Sequence, residues 1–398
     1  MDGLKNAETF TVAPSGDHEI VMTRVFDATR PVVFAAHTMP ELVKRWLLGP
    51  PGWSMPICEI DLRRGGKYRH VLRRDADGME MGWSGVYREV VPPERLVATE
   101  SFDDAWHQGE ALVTTVLAER GGKTMLTTTM LFESREARDA VLKSGMDTGV
   151  AVSYDRLEEL SREIEMAREV QARLLPRQQP PLETLDYRAR CHQLHGLGGD
   201  YYDFLHLDSG KTGFVLTDIS GKGIPAALLM ASLQASIRSQ HALALDDLPR
   251  LLRSVNRLFG ELTESHRYAS VFFGIYDDST RRLRYENCGH NPPLLVRRDG
   301  RLERLQGTAT VLGMFERWDC SVTETQLQPG DVLVIYSDGV TEARSGEELY
   351  GETRLLESIR AHREQPVEEL LEAIVADVDL FSGRLREDDL TLIVARCK

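Results

Sequence analysis

Two α+β domains joined by a helix are what this sequence predicts, and three observations predict it. At 398 residues the chain exceeds what one hydrophobic core commonly supports. Residues 19–132 alternate short apolar runs with turn signals, the texture of an antiparallel meander. From Val150 to Leu175 there is neither Gly nor Pro and the apolar period lengthens to threes and fours, and from about Leu185 the texture becomes mixed α and β.

The residues before about 20 are polar and are expected to fray. Residues 19–26 read as a strand and Pro31 to Trp46 as a short amphipathic helix. Strands are expected at 67–73, 80–91, 96–102, 111–119 and 124–132, separated by the turn signals Asp77-Gly78, Pro92-Pro93 and Gly121-Gly122. Val150, Leu157, Leu160, Ile164, Ala167 and Leu174 then line one stripe of a helix that Pro176 stops. Two readings of that stripe stay open: a helix packed on its own domain, or a coiled-coil connector joining two protomers as a homodimer. Ser153 and Gln171, polar on the seam, weaken the second.

Beyond it, a hairpin is expected over Tyr201–Asp218, turning at Asp208-Ser209-Gly210. A helix begins near Ile224-Pro225, where proline in the first turn loses no hydrogen bond. A second helix is expected over Asp246–Glu264. Strands follow at 270–277, 283–287, 293–296 and 331–336, helices at 354–363 and 367–380, and a last strand at 390–396. The resulting division is a flexible stretch 1–18, a first domain 19–160, a linker helix and spacer 161–184, and a second domain 185–398.

Composition narrows the class. A hydrophobic fraction of 42% and a charged fraction of 28% are those of an ordinary soluble globular protein. The formal net charge of −14 disfavours nucleic acid and anionic membrane surfaces as partners. No apolar run is long enough to span a bilayer and the N-terminus does not read as a secretory signal, so cytoplasmic residence is expected. The five cysteines form no CxxC pair and read as reduced thiols.

Chemistry concentrates in aspartates where apolar strands begin or end. Asp200 and Asp203 precede or open a strand, Asp218 and Asp338 end apolar runs, and Asp388 and Asp389 precede the last strand. Carboxylates gathered at one rim repel each other and need a cation to stay ionised together. Hard oxygen donors without a Cys or His cluster suit Mg²⁺ or Mn²⁺ rather than Zn²⁺. Taken singly, each Asp is equally a turn former or a helix cap.

Five motifs in order carry a resemblance: Gly-Gly-Asp-Tyr-Tyr-Asp (198–203), Thr-Asp-Ile-Ser-Gly-Lys-Gly-Ile-Pro-Ala-Ala (217–227), Cys-Gly-His-Asn-Pro-Pro-Leu (288–294), Tyr-Ser-Asp-Gly-Val-Thr-Glu-Ala (336–343) and Glu-Asp-Asp-Leu-Thr-Leu (387–392). With Gln-Ala-Arg-Leu-Leu-Pro (171–176) ahead of them, they resemble the SpoIIE/RsbU-type phosphatases of the PPM class. That resemblance implies an αββα sandwich and a binuclear Mn²⁺ or Mg²⁺ site. It places Asp218 as the bridging ligand, the backbone carbonyl of Ile219 on one ion, and Asp200, Asp338 and Asp388 as the remaining protein ligands. Asp388 is preferred to Asp389 as the first Asp of the pattern, and Asp203 is a weaker candidate. Lys222 either touches substrate phosphate or faces solvent, and His290 either donates a proton or structures its loop. Where the family commonly has Pro-Leu-Gly, this chain has Thr310-Val311-Leu312-Gly313, which is expected to alter a loop and leave the ligands intact.

Phe-Asp-Ala-Thr-Arg-Pro-Val-Val-Phe-Ala-Ala (26–36), Leu-Val-Lys-Arg-Trp (42–46), Asp-Leu-Arg-Arg-Gly-Gly-Lys-Tyr (61–68) and Gly-Val-Tyr-Arg-Glu-Val-Val-Pro-Pro-Glu-Arg-Leu-Val (85–97) resemble a second family. It is the SRPBCC superfamily, in the branch of the heat-shock ATPase activator homologues. This implies a helix-grip fold, with Trp46, Trp53, Trp83 and Trp106 as candidates to line a pocket or to serve as core. Together the resemblances imply a sensor-regulated phosphoserine/phosphothreonine phosphatase acting on a phosphorylated STAS-domain protein. An unknown small molecule or protein would be the ligand of the first domain. The alternatives are a non-catalytic phosphatase-like scaffold and a small-molecule sensor.

Overall fold

The computed structural model describes residues 10–103, 109–194, 196–207, 210–241, 247–263, 267–383 and 386–398. The chain divides into two compact units, Met1–Ala167 and Arg168–Lys398.

The N-terminal unit is built on one eight-stranded antiparallel sheet. Its strands lie in the order Thr11–Ser15, Glu19–Phe26, Lys123–Leu131, Ala111–Arg120, Arg95–Phe102, Glu80–Val91, Lys67–Arg74 and Trp53–Ile60. One face packs under helices: Ile20, Met22 and Met130 of the sheet, with Phe132 just past its end, pack with Ala137 and Val141 of the helix Arg135–Lys143. Leu157, Leu160 and Ile164 of the helix Met146–Ala172 are buried, which takes up much of the predicted seam. Ion pairs Arg24–Asp155 at 2.8 Å and Arg45–Glu163 at 3.2 Å join that helix to the rest of this unit.

Two expectations are corrected. Thr11–Ser15 is an edge strand paired with Glu19–Phe26, so part of the supposedly frayed N-terminus is ordered by ladder hydrogen bonds. The helix expected from Pro31 to Trp46 is two helices, Arg30–Thr38 and Pro40–Trp46, divided at an extended Met39. The ring of Pro40 pushes the residue before it out of helical geometry. Of the four tryptophans, Trp46 is core, 3% exposed and donating from Nε1 to Ala36 O at 2.7 Å. Trp53 is half-buried with the Arg74 guanidinium 5.7 Å from its ring centroid, Trp83 is buried, and Trp106 lies outside the described residues.

The C-terminal unit has four layers. One five-stranded sheet has the order Tyr201–Leu207, Lys211–Ile219, Ala269–Asp277, Arg282–Cys288 and Thr323–Gln326; the other has Leu302–Arg304, Leu294–Val296, Val332–Tyr336, Leu390–Cys397 and Leu185–His192. Phe214, Leu216 and Phe272 of the first sheet meet Leu295, Leu333, Ile335 and Ile393 of the second. The outer face of the first sheet packs on the helices Gly223–His241 and Leu248–Gly260 through Val215, Ile219, Met230, Leu252 and Phe259. That of the second packs on Gly351–His362 and Val367–Phe381 through Val334, Leu392, Ile359 and Leu371. Strands covered on both faces read as unbroken apolar runs, as Val332–Tyr336 does. The hairpin bend residues 208 and 209, and residues 246 and 264 at the ends of the predicted second helix, lie outside the described residues.

Candidate metal centre

The fold brings four acidic segments to one rim. Asp200 ends the loop before Tyr201–Leu207 and Asp218 lies in the last turn of ladder of Lys211–Ile219, paired with Ser270. Asp338 opens the one-turn helix Asp338–Thr341, and Asp388 precedes Leu390–Cys397. A side chain at Gly199 would come within 3.0 Å of the Ile219 carbonyl oxygen, so that carbonyl lies against the loop that carries Asp200.

The carboxyls act on one another. Burial, then the charges of Asp338 and Asp388, push Asp218 up to about 8. Burial, then Asp388, push Asp338 up to about 6. Asp200 is raised well above the carboxylate range by burial, then by Asp218 and Asp389. Asp200 is 1% exposed and its Oδ2 has no hydrogen-bond partner among the described residues. A buried carboxylate oxygen left unpaired among like charges is costly unless a cation answers it. The donor set therefore suits a hard divalent ion. Among the described residues no three His, Cys, Asp or Glu side chains are gathered to hold one ion as they stand.

The two adjacent aspartates differ sharply. Asp389 is 9% exposed; its Oδ1 accepts from Leu194 N at 2.8 Å and its Oδ2 from Gly199 N at 2.8 Å and Asp200 N at 3.4 Å. It fastens the Gly-Gly-Asp loop. Glycines make room for it: a Cβ at Gly198 would lie 2.1 Å from Asp389 Oδ2, and one at Gly339 would lie 2.0 Å from Asp389 O. Asp388 is more open, its Oδ2 2.8 Å from Lys222 Nζ and its Oδ1 accepting from Asp389 N at 2.9 Å. Lys222 also reaches the Glu387 carbonyl, so it neither faces bulk solvent freely nor stands alone.

Asp203 is set apart from the rim group. It is fully buried, held bidentate by Arg238 at 2.7 and 2.8 Å, and accepts from the Tyr201 hydroxyl and from Phe204 N. His290 is 5% exposed, its Nδ1 2.7 Å from Ser270 Oγ, and its N–H donates to Asn287 Oδ1. Burial drops its pKa to about 4, which favours the uncharged imidazole. Leu312 of the divergent Thr-Val-Leu-Gly run exchanges backbone hydrogen bonds with Ala269 and brings no carboxylate to the rim. Sequence reasoning missed one contact entirely: the Gln171 amide donates to Gly198 O at 2.7 Å and accepts from Gly198 N at 3.1 Å. A polar residue on an apolar seam was its only signal.

Known proteins share this architecture. The SiaA-PP2C domain of Pseudomonas aeruginosa superposes with a TM-score of 0.54 at 21% identity, over 60% of this chain and 96% of that one. The C-terminal unit has a PP2C-type phosphatase fold. More narrowly, residues 208–398 match the family of stage II sporulation protein E (SpoIIE), and residues 27–162 match the activator of Hsp90 ATPase homolog 1-like family. The chain thus carries a SpoIIE domain after an SRPBCC-type domain, in agreement with both expected folds. It is 29% identical over 249 residues to the phosphoserine phosphatase RsbU of Bacillus subtilis, spanning 61% of this chain and 72% of that protein. It is 26% identical over 221 residues to phosphoserine phosphatase RsbP of the same organism, over 54% of this chain and only about half, 53%, of RsbP. Among the described residues no helix is long and apolar enough to cross a membrane.

Proposed function

We propose that the C-terminal unit hydrolyses phosphoserine and phosphothreonine on a protein, using two Mn²⁺ or Mg²⁺ ions held by Asp200, Asp218, Asp338, Asp388 and the carbonyl of Ile219. The observation that carries this reading is the buried, unpaired Asp200 Oδ2 among carboxyls that raise one another's pKa. When bound, such an ion pair supplies an activated water and neutralises phosphoryl charge. The chain's own part is placement. Asp389 fixes the loop that presents Asp200, and Lys222 holds Asp388 and offers a cation beside the site for a phosphate oxygen. Ser270 and His290 brace the strand opposite Asp218.

RsbU and RsbP are named phosphoserine phosphatases, which supports this substrate class. The substrate we propose is a phosphorylated STAS-domain protein in the cytoplasm. Regulation by the N-terminal unit is part of the proposal: the helix Met146–Ala172 contains the division between the units, and its Gln171 grips Gly198, two residues from Asp200. A homodimer through that helix has Met166 and Val170, exposed apolar residues one turn apart, as its support.

The alternative, a phosphatase-shaped scaffold, is favoured by the absence of three convergent metal-binding side chains among the described residues. Hydrolysis of para-nitrophenyl phosphate with Mn²⁺ separates the two. Wild type should turn over and Asp218→Asn should not; equal rates sink the catalytic reading.

A further inference from the structure

A cavity of about 540 Å³ opens beside Tyr201–Leu207, the edge strand of the first sheet in the C-terminal unit. Three segments line it: residues 173–178 with Pro180, which follow the helix Met146–Ala172; Phe204, Leu205 and His206 of the strand; and Gln234 and Arg238 of the helix Gly223–His241. At about 3.3 Å per residue of strand, His206 lies ~20 Å along the chain from Asp200, so this space is separate from the metal centre. Its volume is in the range of pockets that hold small molecules.

Charge sets the cavity apart. Acids outnumber bases in the chain, 62 to 48, yet the lining holds Arg173, Arg177, Arg238 and His206 and neither Asp nor Glu. Asp203 answers Arg238 at 2.7 and 2.8 Å and so fixes where its guanidinium sits. Arg173 and Arg177 pair with no carboxylate among the described residues. Cations gathered around one space are unfavourable until an anion answers them, the reverse of the carboxylate rim. The segment that carries them is anchored without using their charge. Leu174 and Leu175 pack on the helix-side core, Gln234 Nε2 donates to Leu174 O at 3.4 Å, and the Tyr187 hydroxyl donates to Pro180 O at 2.5 Å. An anchored segment loses less freedom on binding than a loose one. A guanidinium presents a planar fork of N–H donors that matches phosphate oxygens, and two such forks on one segment match two phosphates.

We propose that this cavity binds a small molecule carrying two linked phosphates, held by Arg173 and Arg177 on one side and His206 on the other. The site does not depend on the phosphatase reading. Binding to metal-free protein tests it, so its failure is distinct from failure of that reading.

The probe is inorganic pyrophosphate, titrated by isothermal calorimetry into the full chain freed of metal on a chelating resin, so that the rim holds no cation to take it up. One site per chain is expected, with a Kd on the order of 100 µM at low salt, within reach of a ligand of its size. Orthophosphate should bind at least ~10-fold more weakly, because it meets fewer of the charged donors. Arg173→Gln combined with Arg177→Gln should weaken pyrophosphate by ~10-fold or more. Arg298→Gln combined with Arg301→Gln, exposed arginines elsewhere on the unit, should leave it unchanged. ADP, run alongside, separates two sources of the diphosphate: tighter ADP assigns the site to a diphosphate on an organic body, tighter pyrophosphate to the free anion. Absence of saturable pyrophosphate binding to about 2 mM overturns the proposal, as does wild-type affinity in the Arg173 and Arg177 double variant, or an equal loss in the control. If that double variant fails to fold, Arg177→Gln alone, expected to weaken binding ~3-fold, decides.

Discussion

Removing Asp389 and removing Asp388, neighbours in sequence, should have opposite consequences. Asp389→Ala deletes two 2.8 Å hydrogen bonds, to Leu194 N and Gly199 N, and a longer one to Asp200 N. Bonds to a carboxylate contribute about 1.5–3 kcal/mol each, so the gross loss is about 3–6 kcal/mol. Part is returned because Asp389 is itself a buried acid with a raised pKa. A net destabilisation of about 2–4 kcal/mol of the C-terminal unit remains. Asp388→Ala breaks a pair whose side chains are 48% and 41% exposed, Lys222 and Asp388. Such a pair contributes about 0–1 kcal/mol, and relief of repulsion on Asp218 and Asp338 offsets it. Differential scanning calorimetry of the full chain in EDTA and in Mn²⁺ reads both. Without metal, Asp389→Ala should lower the C-terminal transition by about 5–15 °C and Asp388→Ala by no more than about 4 °C. In Mn²⁺ the wild-type transition should rise and that of Asp388→Ala should not. A metal-free Asp388→Ala as unstable as Asp389→Ala, or a normal Mn²⁺ shift in Asp388→Ala, would refute the division of roles.

Three further outcomes follow. Arg238→Met leaves the fully buried Asp203 carboxylate without its bidentate partner and should cost about 3–5 kcal/mol, read from the same calorimetric transition; a change under 1 kcal/mol counts against the pair. Burial raises the Glu100 carboxyl from 4.5 to about 7, so the folded state holds its proton more tightly than the unfolded state. The contribution of Glu100 to the stability of the N-terminal unit is therefore full below about pH 4.5 and falls by about 1–3 kcal/mol as pH rises to about 7; the difference between wild type and Glu100→Gln in hydrogen exchange of the strand 67–74 should change with pH in that sense, and a difference that does not change contradicts it. Two glycines inserted after Glu165 should uncouple the units, so that a ligand of the N-terminal unit which alters phosphatase rate in wild type no longer does so; an unchanged response contradicts regulation through the helix.

How far the sequence could be read depended on the kind of information each feature needs. Asp218 and Asp338 stood out because a buried strand writes an unbroken apolar run, and an acid at its end is conspicuous. The order of Asp388 and Asp389 could not be settled from the residues, because shifting one position in a strand swaps the face a side chain meets. The strand Trp53–Ile60 escaped notice because its Pro56 and scattered polar residues hide the alternation that marks a strand. The helix break at Met39 was legible in principle, since Pro40 announces it. The clustering of Cys58, His70, Trp83 and Phe102 was not, because it depends on the register of four successive strands. The Gln171–Gly198 contact likewise joins residues 27 apart through an amide that looked merely misplaced on a seam.

The central claim is that the four rim carboxylates hold metal, and Mn²⁺ binding measured by electron paramagnetic resonance tests it most directly. Wild-type protein should take up two ions per chain, and Asp218→Asn should lose tight binding of both while its circular dichroism is unchanged. Wild type that binds no Mn²⁺, or Asp218→Asn that binds it with wild-type stoichiometry and affinity, would contradict the account.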